Sequence, residues 1–220
     1  QQIQSGELET PAQSSAGEIS PAWLPFLEET SETTEVGRPV FVDREQELNK
    51  LHTFLEGALS GSGQVAFITG EAGSGKTALV NEFTHRAQEV HADLIVVSGN
   101  CNAHTGIGDP YLPFREVLEL VTGDVEARWA AGAISGEHAR LLWNTLPIAA
   151  HALLESGPDL IDTFVPGAAL VERTAAYAPA GVDWLTRLED IVDRKKTTHM
   201  IPGLQQSDLF EQYTRVLRAL

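Results

Sequence analysis

Residues 70–77 of this 220-residue chain read GEAGSGKT. The six residues before them, QVAFIT at 64–69, form a short apolar run with glycine on both sides, which is typical of a buried β-strand. The residues from Lys76 to about Gln88 follow a helical apolar pattern. The stretch therefore predicts a strand, a glycine-rich turn and a helix, in that order.

The turn matches the pattern Gly-x-x-x-x-Gly-Lys-[Ser/Thr]. Glycine lets the backbone N–H groups of residues 73–76 curl around phosphate oxygens, and the helix N-terminus adds partial positive charge. Lys76 is placed to bridge the β- and γ-phosphates of ATP, and the Thr77 hydroxyl to ligate Mg²⁺. The predicted nucleotide-binding residues are Gly70, Glu71, Ala72, Gly73, Ser74, Gly75, Lys76, Thr77 and Ala78, with Thr77 also the predicted metal ligand.

The charge composition excludes other classes of partner. The chain has 15 Lys and Arg against 31 Asp and Glu, so its formal net charge is −16. A broad face of such a protein repels nucleic acid and anionic membranes, so an anionic ligand must be held by a local device such as the 70–77 turn. No apolar run reaches the roughly 18 residues of a membrane span. The single cysteine, Cys101, allows no intrachain disulfide and favours a reducing, cytoplasmic setting. We expect the Cys101 side chain to be buried as a small apolar residue.

The remaining pattern is one further strand followed by helices. DLIVVS at 93–98 predicts a second buried strand, and residues 99–110 have a loop composition. Val40–Val42 form an extended run, Asp43 suits a helix N-cap, and a helix is expected to run to about Leu59. Further helices are predicted at 112–121, 137–155, 182–195 and 208–220.

Four stretches together resemble a known family. They are FVDREQEL at 41–48, GEAGSGKT at 70–77, DLIVVSGNCNAHTGIGDPYLPFREVL at 93–118 and SDLFEQYTRVLRAL at 207–220. They are similar to the AAA-type, origin-recognition-like ATPase module of bacterial STAND signalling ATPases and large ATP-binding transcriptional regulators. The resemblance covers about residues 37–220. It implies an α/β fold, namely a P-loop NTPase three-layer sandwich with a parallel sheet that is incomplete in this chain, plus a helical region.

The resemblance and the composition together suggest a domain organisation. Residues 1–36 hold seven glutamates and no Lys or Arg, which predicts an acidic, flexible linker. Residues 37–110 are the expected α/β P-loop part and residues 111–220 the mainly helical part. In the family a Walker B strand follows a helix like 208–220. We therefore expect an apolar strand ending in Asp-Asp or Asp-Glu beyond Leu220, and binding without turnover by this chain alone.

The function implied by the resemblance is a nucleotide-dependent signalling or regulatory switch. ATP, ADP and Mg²⁺ are its expected ligands, and flanking effector and sensor domains its expected partners, with self-association left open. No catalytic residue is assigned, and Arg115, Arg128 and Arg140 remain equal candidates for a γ-phosphate finger. Two alternatives stay open: a P-loop small-molecule kinase and a scaffold whose loop binds nothing. The kinase is disfavoured because Ser98, not an acidic residue, ends the second predicted strand.

Overall fold

A computed structural model describes residues 44–101, 109–178, 182–197 and 205–220. Within these ranges the chain forms α1 (Glu45–Leu59), α2 (Lys76–Val90), α3 (Leu112–Val121), α4 (Glu126–Ala130), α5 (Gly136–Ser156), a 3-10 turn (Pro158–Leu160), α6 (Gly167–Tyr177), α7 (Asp183–Thr197) and α8 (Gln206–Ala219). The predicted linker at 1–36, the extended run at 40–42 and the predicted N-cap Asp43 lie outside the described residues.

The predicted helices are confirmed. The four helices predicted after residue 111 correspond to α3, α5, α7 and α8, and each end lies within two residues of its predicted position. Two helices were not predicted. Helix α4 is only five residues long, and α6 begins directly after Pro166, where the proline was taken to separate two helices. Helical apolar periodicity depends on residues a few positions apart, so it predicts a helix correctly even where the tertiary packing is not known.

Helix α5 lies at the centre of the hydrophobic core. Leu142, Leu146, Ala149 and Leu153 form one fully buried stripe along it. Helices α3, α6, α7 and α8 all pack against α5 and cover that stripe with apolar side chains. The helical part is therefore built around one long apolar helix, and it positions the loops between the helices.

The predicted fold class is wrong for this structure. Neither 64–69 nor 93–98 is a β-strand, and the described residues contain no sheet, only an isolated parallel bridge between Ile161 and Val165. Val65 and Phe67 in the first predicted strand are 82% and 88% exposed, although that strand was expected to be buried. The α/β, three-layer sandwich with a parallel sheet is therefore replaced by a helical architecture over the described ranges.

The physical reason is that a strand exists only through its neighbours. A strand's N–H and C=O groups must pair with another strand, and a parallel sheet needs helices packed on both of its faces. No backbone hydrogen bond joins 64–69 to 93–98 in the described part of the chain. The later helices pack on one another around α5. An apolar run bounded by glycine carries no information about whether such a partner is present.

The second apolar run nevertheless contacts the helical core. The Val97 side chain is partly buried against the core residues of α3 and α5, and the backbone of Val96 is hydrogen-bonded to the imidazole of His138. Cys101, which follows this run, is exposed, so the expectation that it is buried was wrong. Residues 93–101 therefore connect the α1–α2 part of the chain to the helical part.

His138 gives the fold a predicted dependence on pH. It is only 9% exposed, its Nε2 has no hydrogen-bond partner, and burial lowers the pKa of this imidazole from its ordinary value of 6.5. As the pH falls through that value, the unfolded chain takes up a proton that the folded chain resists. We therefore expect the free energy of unfolding to be highest above about pH 6.5 and to decrease below it.

The measurement is thermal unfolding of the wild type and His138→Asn between pH 7.5 and 5.5, with His151→Asn as the matched control. His151 is on the same helix and exposed. The expected result is a weaker pH dependence in His138→Asn alone. Equal pH dependence in all three proteins would contradict the assignment, even if His138→Asn were less stable at every pH. His85, Glu89 and Glu137 line the same cleft between α2 and α5, and they are unchanged in each variant.

Candidate functional site

The loop before α2 has the backbone conformation that its glycines allow. Gly73 and Gly75 have φ angles of 76° and 80°, in the left-handed region that costs glycine little. Gly75 is the N-cap residue of α2, so the loop turns directly into that helix. At Gly70, an added Cβ would lie 2.8 Å from Ser74 Oγ. Gly73 and Gly75 are therefore glycines for a conformational reason, whereas the Ser74 hydroxyl near Gly70 could rotate away from an added Cβ.

The backbone N–H groups of the loop differ in whether they have an acceptor. The amides of Gly73 and Gly75 have no hydrogen-bond acceptor among the described residues. An added Cβ on Gly73 would meet no heavy atom within 4 Å. The Ser74 amide is different, because it donates to the Glu71 carbonyl at 3.2 Å. The predicted cup of converging amides is therefore smaller here, since one of its donors is used inside the loop.

The ammonium group of Lys76 lies inside the same loop. Its Nζ donates to the carbonyl oxygens of Gly70 and Glu71, at 3.0 and 2.8 Å. Thr77 and Ala78 follow in the first turn of α2, and both are exposed. The arrangement gathers one positive charge, a helix N-terminus and several amides, those of Gly73 and Gly75 included, that have no acceptor within the described ranges. Such a place attracts an anion with several oxygen atoms.

Arg44 is a residue of this loop that sequence reasoning missed. Its guanidinium donates a hydrogen bond to the carbonyl oxygen of Ser74, and it lies about 4 Å from where a Cβ on Gly75 would be. A sequence signal for Arg44 was present, because it belongs to the FVDREQEL stretch on which the resemblance rests. No contact between that stretch and the loop was predicted. The two residues are 30 positions apart in the sequence, so spacing alone could not join them.

An ion-pair cluster joins the first turn of α1 to α2, at Arg86. Both Arg86 terminal nitrogens donate to the Glu45 carboxylate, at 2.9 and 3.1 Å, and Arg86 Nε donates to Glu82 at 2.6 Å. The hydrogen bonds from Arg86 hold the pKa of Glu45 below its usual range, and the two carboxylates raise the pKa of Arg86. Glu45 and Arg86 are therefore both charged at neutral pH, and the first turn of α1 is attached to the second half of α2.

Asp162 and Glu155 each follow a short apolar run, and each contacts another part of the fold. Asp162, with a φ of 65°, accepts a hydrogen bond at 2.8 Å from the Gly167 amide at the start of α6. Glu155, near the end of α5, lies 2.8 Å from Arg187 of α7. These contacts give both carboxylates a structural role, and neither is assigned as a catalytic group.

The three candidate arginine fingers are in different situations. Arg115 pairs with Asp109 at 2.9 Å, and Arg128 pairs with Glu116 at 3.2 Å. Arg140 is exposed on α5. Among the described residues, no hydrogen bond or ion pair joins any of the three to the 70–77 loop.

Comparisons with known proteins give one match. A family model described as AAA ATPase domain matches residues 40–219. No curated protein and no solved structure matches the chain. Among the described residues, none of the helices is both long enough and apolar enough to span a bilayer, and no group of three or more His, Cys, Asp or Glu side chains is arranged to hold a metal ion.

Proposed function

Because this chain belongs to the AAA ATPase domain family, we propose that its 70–77 loop binds ATP and that the nucleotide serves a regulatory purpose. The observation that carries the proposal is that the amides of Gly73 and Gly75, beside the Lys76 ammonium, have no acceptor in the part of the chain that the structure describes. A triphosphate supplies the anionic oxygens that these donors lack. On binding, Lys76 would exchange its two loop carbonyls for phosphate oxygens, which are stronger acceptors because they are charged.

Magnesium is the expected companion of the nucleotide. Thr77 is exposed at the first turn of α2, one residue after Lys76, so its hydroxyl is available as an oxygen ligand. The bound ion would neutralise part of the charge on the β- and γ-phosphates. Its other ligands would come from the phosphates and from water, because Mg²⁺ keeps several waters in most sites of this kind.

A test of this assignment is the dependence of ATP affinity on Mg²⁺. In the wild type we expect ATP to bind more tightly with Mg²⁺ than with EDTA. In Thr77→Ala we expect that difference to shrink several-fold, because one ligand of the ion is lost, while affinity in EDTA stays close to the wild-type value. Calorimetric titration of the 220-residue chain measures both.

The matched control is Thr84→Ala, which removes a hydroxyl from the same helix. That hydroxyl donates to the Asn81 carbonyl and lies two turns away from the loop. If Thr84→Ala changed the Mg²⁺ dependence as much as Thr77→Ala, the effect would belong to α2 as a whole. The metal assignment would then be wrong.

The regulatory part of the proposal is that ATP and ADP favour different arrangements of the α1–α2 part and the helical part. Residues 93–101 are the supporting link, since Val97 packs against the core and the Asn100 amide donates to Glu116 of α3 at 2.8 Å. A nucleotide shifts such an equilibrium only by its difference in affinity for the two states. Hydrogen exchange of residues 93–101 with ATP and with ADP measures whether the link responds, and identical exchange would count against a switch.

A further inference from the structure

We propose that the Glu45–Arg86 ion pair positions the nucleotide loop, acting through Arg44, and thereby sets the affinity for ATP. The inference rests on the proposed function, because it concerns the same loop. Glu45 and Arg86 are positioning residues here, since neither contacts the loop directly. The juxtaposition that carries it is that two consecutive residues, Arg44 and Glu45, reach the loop and α2 respectively.

The first step concerns the peptide group between Ser74 and Gly75. This group holds both the carbonyl oxygen that Arg44 binds and the Gly75 amide, which has no acceptor among the described residues. The peptide is planar and trans, so its C=O and its N–H point in opposite directions. A guanidinium that holds the Ser74 carbonyl therefore turns the Gly75 N–H to the other side. Arg44 thus orients a donor that the phosphates need, without itself having to contact the nucleotide.

The second step concerns what holds Arg44. It is the N-cap residue of α1, and the same helix begins with Glu45. The bidentate pair with Arg86 fixes that first turn at a defined place along α2, and Leu48, which is fully buried, holds the next turn. A guanidinium and a carboxylate joined by two parallel hydrogen bonds constrain direction as well as distance. Arg86 is itself held in orientation by Glu82.

The third step is that the Glu45–Arg86 ion pair contributes little to the free energy of unfolding. The Glu45 side chain is 63% exposed and that of Arg86 is 34% exposed. Exposed ion pairs contribute little to folding, because water and salt screen them. A loss of nucleotide affinity at an unchanged unfolding temperature is therefore the signature that separates positioning from general support of the fold.

The experiment compares Glu45→Gln with Glu211→Gln in the 220-residue chain. Glu211 pairs with Arg215 on α8 and is 63% exposed, so both variants lose one negative charge and one exposed ion pair. For Glu45→Gln we expect Mg-ATP to bind about fivefold more weakly by calorimetry, with an unchanged unfolding midpoint. For Glu211→Gln we expect wild-type affinity. Equal affinities in the two variants would overturn the proposal.

A double-mutant cycle tests the route through Arg44. Arg44→Gln should weaken ATP binding at least as much as Glu45→Gln, and the double variant should bind no worse than Arg44→Gln alone. Additive losses would mean that Glu45 acts on the loop by another path, which also overturns the proposal. Arg86→Lys keeps the charge but loses the two-pronged geometry, so it should fall between the wild type and Glu45→Gln.

Failure of this inference is distinguishable from failure of the proposed function. If the wild type gives no heat with Mg-ATP, the assignment of the loop itself is wrong. If the wild type binds Mg-ATP, Lys76→Ala abolishes that binding, and Glu45→Gln behaves like Glu211→Gln, then only the positioning role is wrong.

Discussion

Replacing Lys76 by alanine is expected to weaken ATP binding about 100-fold, the loss that follows from removing a charge-assisted contact to the phosphates. The Lys76 ammonium is the positive charge at the centre of the loop, and no other ammonium in the described residues donates to the Gly70 or Glu71 carbonyl. The variant should fold normally, because both carbonyls that it leaves belong to an exposed loop where water can replace the donor. Calorimetric titration with Mg-ATP measures the change.

Lys196→Ala is the control for this variant. Lys196 lies on α7, its side chain is 60% exposed, and its removal changes the net charge of the chain by the same amount. We expect it to bind ATP like the wild type. If both variants lost affinity equally, the cause would be the overall charge of a protein at −16, and the loop assignment would have no support. Wild-type affinity in Lys76→Ala would mean that ATP binds without Lys76, and the loop assignment would be wrong.

Replacing Phe164 by alanine is expected to lower the free energy of unfolding by about 3–5 kcal/mol, the range measured for buried aromatic residues. Phe164 is 1% exposed, and its ring lies 5.5 Å from that of Tyr111 and 6.1 Å from that of Tyr213. It thus joins the start of α3 to α8, and its loss leaves a cavity between them. Denaturant unfolding followed by circular dichroism measures the change.

Phe67→Ala is the matched control, and it also tests the corrected fold. The chemical change is the same, but Phe67 is 88% exposed and should cost no more than about 0.5 kcal/mol. Had residues 64–69 been a buried strand, both variants would destabilise the protein by similar amounts. A large loss from Phe67→Ala would therefore contradict the exposed position of this segment.

Local patterns in the sequence were enough for the helices and for the loop. The stripe of Leu142, Leu146 and Leu153 follows the helical repeat, so α5 could be predicted before its partners were known. The glycines at 73 and 75 predicted a tight turn into a helix, and the structure shows that both have positive φ angles. These features depend on residues a few positions apart, and every short segment carries that information itself.

Contacts between distant parts of the chain could not be obtained in this way. The sequence by itself determined a glycine-rich loop with Lys76 at a helix start, because steric freedom and periodicity act over neighbouring residues. Only the tertiary structure decided that 64–69 is exposed instead of paired in a sheet, that Arg44 holds the Ser74 carbonyl, and that Arg86 joins α1 to α2. Each of these three features depends on a partner 30 or more residues away, or on the lack of a partner in the described residues. The spacing of residues along the sequence does not show which distant residues meet.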